Sequence, residues 1–449
     1  MNVIDRNVIG LEQEFVVEAL ASVIQPEWVT EALVKTDRMS ERRRRLPAPF
    51  VLWFVVLLGL HRRVSYENLL EKLHGSWWTQ DNWKPEECPC SSAVTKARDR
   101  LGVEPVRELF KRSSEVWLEQ TSGLIFHGRR VYAIDGATLK TPDSPKNRRE
   151  FGKPKGGRGV SGYPQLRMVA LMDVGTHIFS DLRIGPFSVG EMTLTRELIE
   201  SNGPGDLVLM DRNFLAYDLL WDLHEGQGAD FVVRVKRGVQ PRCVRVLGEG
   251  DRIVEIDIPR YFRRRRPDMP RTWRLREITY RPEGGKETIR LFVTIFDESV
   301  PAEELADLYH ERWEEEGAFD ELKTHLCSCT QVNRPVVFRS MTPKRVEQEL
   351  YGLLIAHNAV RMIMWAASCL VPICCLRLSY TAAIERIRET TRDMMQLRAI
   401  YLPQRYEKML EAIGRSKVPK RPGRHNPRCV KMKMSRYPLK RPSNEKVSA

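Results

Sequence analysis

VYAIDG, residues 131–136, is an apolar run that stops at an Asp-Gly pair, and the periodicity of the chain changes around it. Up to about residue 125 the apolar residues recur with helical spacing; from Gly128 short strand-like runs alternate with helical segments. Residues 138–163 form a polar loop dense in Lys, Arg and Gly, too poor in apolar groups for a core and suited to lie along a phosphate backbone. QLRMVALMDV and HIFSDLRIG then read as two strands, close enough in sequence to be antiparallel neighbours of the first. EMTLTRELIE reads as a helix, DLVLMD as a strand, LAYDLLWDLHEG as a helix and ADFVVRVK as a strand. Asp135 closes the first strand and Asp211 the fourth. Open α/β sheets carry ligands at the carboxyl ends of their strands, so both aspartates are candidate site residues. The commoner use of Asp in such places is as a cap or turn residue.

This order of elements is that of an RNase H-like α/β sheet, in which the first and fourth strands lie side by side and would bring Asp135 and Asp211 together. Between Lys236 and Phe296 four more strand-like runs follow, CVRVLG, DRIVEIDIP, RTWRLREITY and TIRLFVTIF, separated by RYFRRRRPDMP and RPEGGKE, which read as turns. They make a β-strand insertion over about 238–296. On it, Trp273 is a candidate for stacking on a displaced DNA base, against the commoner use of a strand tryptophan in packing. Arg264 and Arg265, inside the run Arg263–Arg266, are candidate phosphate contacts.

YHERWEEEGAFDELK, residues 309–323, reads as part of a helix that begins near Pro301. At about 100° per residue, Tyr309, Arg312, Glu316 and Lys323 project within an arc of about 60°. Leu308, Phe319, Leu322 and Leu326 lie beside that arc and supply an apolar docking face. The same charges also fit a solvated face with ion pairs four residues apart. Among the rival acids, Glu314 and Glu321 point away from the arc, Glu315 falls on the apolar side, and Asp320 shares the face. Two strand-end aspartates and one helical glutamate are nevertheless the oxygen donors that hard divalent ions require in phosphoryl transfer.

At these residues the chain resembles a known family. Asp135, Asp211 and Glu316 resemble the DDE triad of the bacterial cut-and-paste transposases. The Tyr-x2-Arg-x3-Glu-x6-Lys spacing of Tyr309, Arg312, Glu316 and Lys323 is similar, position for position, to the YREK signature of the insertion-sequence-four family. DRNF, residues 211–214, is similar to that family's second motif, with Asn213 where glycine is frequent. The resemblance implies an enzyme that cuts out and reinserts DNA through a hairpin intermediate, with Asp135, Asp211 and Glu316 as catalytic residues and metal ligands. Two Mg²⁺ ions are implied, with Mn²⁺ as a substitute, and Arg312, Lys323 and Tyr309 would hold the phosphate beside the scissile bond. The implied partners are double-stranded DNA, as inverted-repeat ends and as target, and a second copy of the chain in a homodimer on that DNA. An RNase H-like nuclease without strand transfer, and a transposase-derived repressor that binds DNA without cutting, stay open as alternatives.

The remaining sequence surrounds this core with helices. Residues 1–125 carry helical patterns throughout, among them PFVLWFVVLLGLHRR, SYENLLEKLH with Ser65 as its N-cap, SAVTKARDRLG, and VRELFKRSSEVWLEQ opened by Pro105. The resemblance makes this an all-α DNA-binding domain, with Arg42–Arg45 as a candidate phosphate contact. The catalytic core then spans 126–340. Residues 341–415 form a C-terminal helical region, opened by a long helix capped at Thr342, and 416–449 read as a basic, disordered tail. With 449 residues, 42% apolar and 29% charged, the chain has the composition of a soluble globular protein. Its longest apolar run, Phe50–Leu60, is too short to span a bilayer, and no basic-then-apolar leader opens the chain, so a cytoplasmic location with no membrane partner is expected. The net charge of +14 points to nucleic acid, and ten of the basic residues lie between Ser416 and Arg441 with no acid among them. Nine cysteines, with C-x-C spacing at Cys88–Cys90 and Cys327–Cys329, do not fit a zinc site and read as reduced thiols.

Overall fold

The structure is a computed structural model, and it describes residues 20, 22–42, 45–62, 64–70, 89–156, 159–282, 287–326, 338–394 and 401–418. Most of the basic tail, Arg43, Arg44, Cys88, Cys327 and Cys329 therefore lie outside the described residues.

Helices α1 (Pro26–Lys35), α2 (Ala48–Leu60), α3 (Ser91–Leu101) and α4 (Glu104–Gln120) precede the sheet. The expected cap at Ser65 is made, its hydroxyl accepting from the Asn68 amide at 3.1 Å. The sheet runs β1 (Ile125–Phe126), β2 (Arg129–Lys140), β5 (Gln165–Asp173), β6 (Phe179–Pro186), β7 (Asp206–Met210) and β8 (Asp230–Arg234), with the small ribbon β3 (Lys155–Gly156) and β4 (Gly159–Val160) in the polar loop. Helix α5 (Pro145–Phe151) lies in the same loop, α6 (Glu191–Leu198) precedes β7, and α7 (Tyr217–Trp221) follows it. Strand β5 is antiparallel to its neighbours β2 and β6, while β7 and β8 run parallel to β2, in the order β6-β5-β2-β7-β8. This is the expected RNase H-like arrangement, with the first and fourth strands paired.

The insertion comprises β9 (Arg242–Gly248), β10 (Asp251–Asp257), α8 (Arg260–Arg265), β11 (Thr272–Tyr280) and β12 (Ile289–Val293). It does not form a sheet of its own. β12 pairs antiparallel with β8, and the core sheet continues through β12-β11-β10-β9. The segment RYFRRRRPDMP, expected as a turn, holds the single helical stretch α8, because Phe262 can then pack against the apolar cluster on that side.

Side chains alternate across β2: Val131 and Ala133 enter one hydrophobic cluster, Tyr132 and Ile134 the other. The second cluster is closed by α6, α7 and the insertion. The first is closed by helices from both ends of the chain, including α11 (Pro343–Leu370), α12 (Tyr380–Met394) and α13 (Leu402–Arg415). The N-terminal and C-terminal helices thus share one core. Helices α2 and α11 cross at glycines: a Cβ on Gly59 would stand 2.5 Å from the Gly352 carbonyl oxygen, and one on Gly352 2.5 Å from that of Val55. Thr342 sits at the N-cap of α11 but its hydroxyl does not cap; it accepts from Arg345 Nε at 2.9 Å. By length and composition α11 could cross a bilayer, yet 72% of its most apolar stretch is buried inside the fold.

Candidate active site

The two aspartates meet because of register. The parallel β2–β7 ladder ends at Ile134 opposite Met210, so Asp135 and Asp211 are the next residues on two neighbouring strands. Paired strands lie about 4.8 Å apart, which sets the two carboxylates side by side. Asp135 does not close its strand as expected. β2 runs on through Gly136 to Lys140, held by continued pairing with β5 (Asp135 opposite Ala170); it is β7 that stops, opening one edge of β2 at Asp135. Asp135 accepts from the Gly136 amide at 2.7 Å. Asp211 follows β7 directly and caps a 3₁₀ turn, Arg212–Phe214, accepting from the Asn213 amide at 2.6 Å and from Asn213 Nδ2 at 3.2 Å.

The segment carrying the other candidates is not one helix. α9 (Ala302–His310) ends at a tight turn, and α10 (Trp313–Asp320) passes into a π-helical turn over Glu321–His325. Across the break the amides of Glu311, Arg312, Glu314 and Glu315 bond back three residues instead of four. A three-residue turn advances about 120° per residue and a π turn less than 100°, so angles summed along one ideal helix do not carry across. Tyr309 lies in the last turn of α9, Arg312 in the break, Glu316 on α10 and Lys323 in the π turn.

The charges nonetheless converge on Asp135. Burial pushes its carboxyl up to about 6, the Arg312 guanidinium pulls it down, and the charges of Asp211 and Glu316 push it up further. Arg312 is 4% exposed, and its Nε and Nη1 have no hydrogen-bond partner. Its guanidinium lies over the rings of Trp313 at 5.0 Å and Tyr309 at 5.9 Å. Burial works against its charge, but Tyr309, Asp135, Glu315 and Asp211 outweigh that and hold it above its ordinary range. Lys323 is drawn down by burial, against the pull of Asp135 and Glu315, and its Nζ rests 4.7 Å from the centre of the Phe319 ring.

The rival acids separate. Asp320 is exposed and pairs with His325 at 3.1 Å. Glu314 reaches His177 Nε2 at 3.0 Å. Glu321 turns into the core, where Arg361, His177 and His357 surround its carboxylate. Glu315, expected on the apolar side, is fully buried there, within the field of Asp135.

Trp273 is not brought to this group. It is 7% exposed and packs edge-on against Trp221 and Phe231, at 5.3 and 5.8 Å, so its ring serves the core. Arg264 and Arg265 are exposed on α8, Arg265 over the Tyr261 ring at 4.3 Å, on the insertion side of the sheet. Sequence reasoning missed a basic cavity of about 340 Å³ beside Asp211, lined by Arg212, Arg234, Lys236, Arg237, Arg290 and Glu287. The signal was present in VVRVKRG and DRNF, where cations follow β8 and β7 directly.

As they stand, no three acids, histidines or cysteines among the described residues converge closely enough to enclose a metal. The donor chemistry suits a hard divalent ion all the same: oxygen ligands from separate elements, an excess of negative charge, and a buried carboxylate without a partner.

Comparison with known proteins places this geometry in context. Residues 15–111 match the family described as "Insertion element 4 transposase N-terminal", and residues 126–359 the "Transposase DDE domain". Over 451 aligned residues the chain is 28% identical to "Transposase InsG for insertion sequence element IS4" of Escherichia coli (strain K12), covering 96% of this chain and 95% of that one. It is 30% identical over 214 residues to "Putative transposase InsZ" of the same organism, covering 46% of this chain and 68% of that one. Among solved structures, the piggyBac transposase synaptic complex with hairpin DNA aligns at a TM-score of 0.42 and 12% identity over 87% of this chain and 84% of that one.

Proposed function

Because the chain belongs to the DDE transposases, with an N-terminal region of the insertion element 4 type, we propose that it excises and inserts its own insertion sequence by phosphoryl transfer at Asp135, Asp211 and Glu316. The observation that carries this reading is the shared field at Asp135, where Asp211, Glu316 and the buried, incompletely bonded Arg312 all act on one carboxylate. Buried donors without partners are costly, and Arg312 would find its acceptor in a DNA phosphate.

Asp135, Asp211 and Glu316 would hold two divalent ions, Mg²⁺ with Mn²⁺ as substitute. Ions so held lower the cost of forming the attacking oxygen and of releasing the 3′ oxygen in an in-line displacement. The chain's own residues do the rest. Arg312 clamps the phosphate beside the scissile bond, and Tyr309 braces the guanidinium from the end of α9. Lys323 supplies a second cation from the π turn, and the basic cavity beside Asp211 carries the neighbouring backbone. Two ends must be cut and joined together, so the working form is a homodimer on inverted-repeat DNA, in the cytoplasm.

The test is incubation of the purified chain with Mg²⁺ and a duplex carrying the element's end, with products resolved on a denaturing gel. Cleavage at the element boundary that is lost with EDTA, with a flank-free hairpin among the products, is the expected result. Boundary nicks that never yield a hairpin or a joined product would leave a nuclease without strand transfer.

A further inference from the structure

One imidazole meets the segment that carries Glu316 at three places. His177 Nε2 stands 3.0 Å from Glu314 Oε2, its Nδ1 stands 3.3 Å from Glu321 Oε2, and a Cβ on Gly317 would lie 3.6 Å from its Cε1. Residues 314, 317 and 321 are spaced i, i+3 and i+7, so the ring runs along one side of the segment and flanks Glu316 from both directions. Within α10, Glu314 and Gly317 sit about 160° and 100° round the axis from Glu316. The ring therefore grips the helix from behind, while the opposite side presents the carboxylate. Arg361 Nη2 reaches Nδ1 at 2.5 Å and can only donate, which leaves the ring proton on Nε2 for Glu314.

The mount is rigid. His177 is 3% exposed, in the turn between β5 and β6, with φ of 63°, a conformation that suits glycine better than a residue with a Cβ. Its amide donates to the Asp173 carbonyl at 2.9 Å, and the Asp173 carboxylate accepts from Thr176 at 2.7 Å and Arg130 at 2.6 Å. A Cβ on Gly175 would stand 2.2 Å from the Leu124 amide nitrogen, so the turn also lies hard against the chain entering the sheet. β5 is the strand paired with β2 at Asp135. The imidazole thus ties the sheet that carries Asp135 to the helix that carries Glu316.

We propose that His177 is a positioning residue for Glu316, fixing the rotation of α10 and so the approach of the Glu316 carboxylate to Asp135. This rests on the reading of Asp135, Asp211 and Glu316 as the catalytic set. A rotation of about 10° moves a carboxylate roughly 6 Å from the helix axis by about 1 Å, and a displacement of that size can cost on the order of a hundredfold in rate.

The experiment is single-turnover cleavage of end-bearing duplex in Mg²⁺, with DNA affinity measured alongside, for wild type, His177→Gly, His177→Gln, Glu314→Ala and Glu316→Gln. Glycine suits the left-handed turn but deletes the ring, whereas glutamine keeps a side-chain N–H to offer Glu314. Glu314→Ala breaks the same contact from a half-buried residue, so the fold is kept even if His177→Gly does not fold. His177→Gly and Glu314→Ala are expected to bind DNA as wild type does and to cut roughly ten- to a hundredfold slower, with His177→Gln within about threefold of wild type. Wild-type cutting by Glu314→Ala or by His177→Gly overturns the inference, and so does His177→Gln as slow as His177→Gly, since the ring would then serve packing alone. DNA affinity that falls in step with cutting overturns it too. Wild-type cutting by Glu316→Gln removes the underlying reading and this inference with it.

Discussion

At the scale of single residues the site is defined by what it leaves unsatisfied. Asp135 is pushed from an ordinary 3.8 to about 6, with burial as the largest cause. At about 1.4 kcal/mol per pH unit between those values, its ionised form costs the metal-free fold about 3 kcal/mol at neutral pH. The sign follows. The folded state holds this proton more tightly than the unfolded one, so Asp135 makes the metal-free protein less stable as pH rises from about 4 to 6. Urea unfolding in EDTA should show Asp135→Asn more stable than wild type at pH 7, with the difference vanishing near pH 4; an equal difference at both would mean the shift is absent. Divalent-ion uptake by the metal-free chain, which needs the ionised carboxylate, should instead strengthen as pH rises through about 6. Both aspartates were legible in the sequence because they end apolar runs. Glu315 was legible only as an acid on an apolar face, since nothing in one sequence says whether such an acid has a partner.

At the scale of elements, the helix bearing Glu316 is a jointed one. Its residue types were readable, but its joints were not, because the break at Glu311–Arg312 has no Pro or Gly to announce it and the π turn depends on a distant partner. That partner is Arg361 on α11, which with His177 and His357 holds Glu321 in the core. Removing the charge with Glu321→Gln leaves Arg361 unpaired and should cost about 3–5 kcal/mol by urea unfolding. Because Lys323 sits in the same turn, cleavage by the folded variant should fall as well; full activity would show that the turn does not position the site. The glycine crossing of α2 and α11 makes a second demand. Gly352→Ala drives a Cβ against the Val55 carbonyl and should destabilise by about 1–3 kcal/mol, with a neutral result showing that the helices can separate without loss.

At the scale of the molecule, strand order was legible because alternation and connection length leave few topologies open. The insertion's place in the same sheet was not, because an antiparallel run can extend an edge or fold on itself with the same sequence pattern. Nor was the shared core of the two helical ends, which pairs residues hundreds of positions apart. Beyond Val418 the chain carries ten Lys and Arg and one acid. Deleting residues 419–449 should therefore flatten the salt dependence of DNA binding by about 0.9 in log–log slope for each phosphate the tail neutralises, and an unchanged slope would exclude the tail from the DNA. The central claim is that Asp135, Asp211 and Glu316 form one catalytic group, and single-turnover cleavage of end-bearing duplex in Mg²⁺, wild type against Glu316→Gln, with DNA affinity measured on both, tests it most directly. The account predicts equal affinity, with cleavage lost by at least about a hundredfold in Glu316→Gln; equal cutting by the two proteins would contradict it.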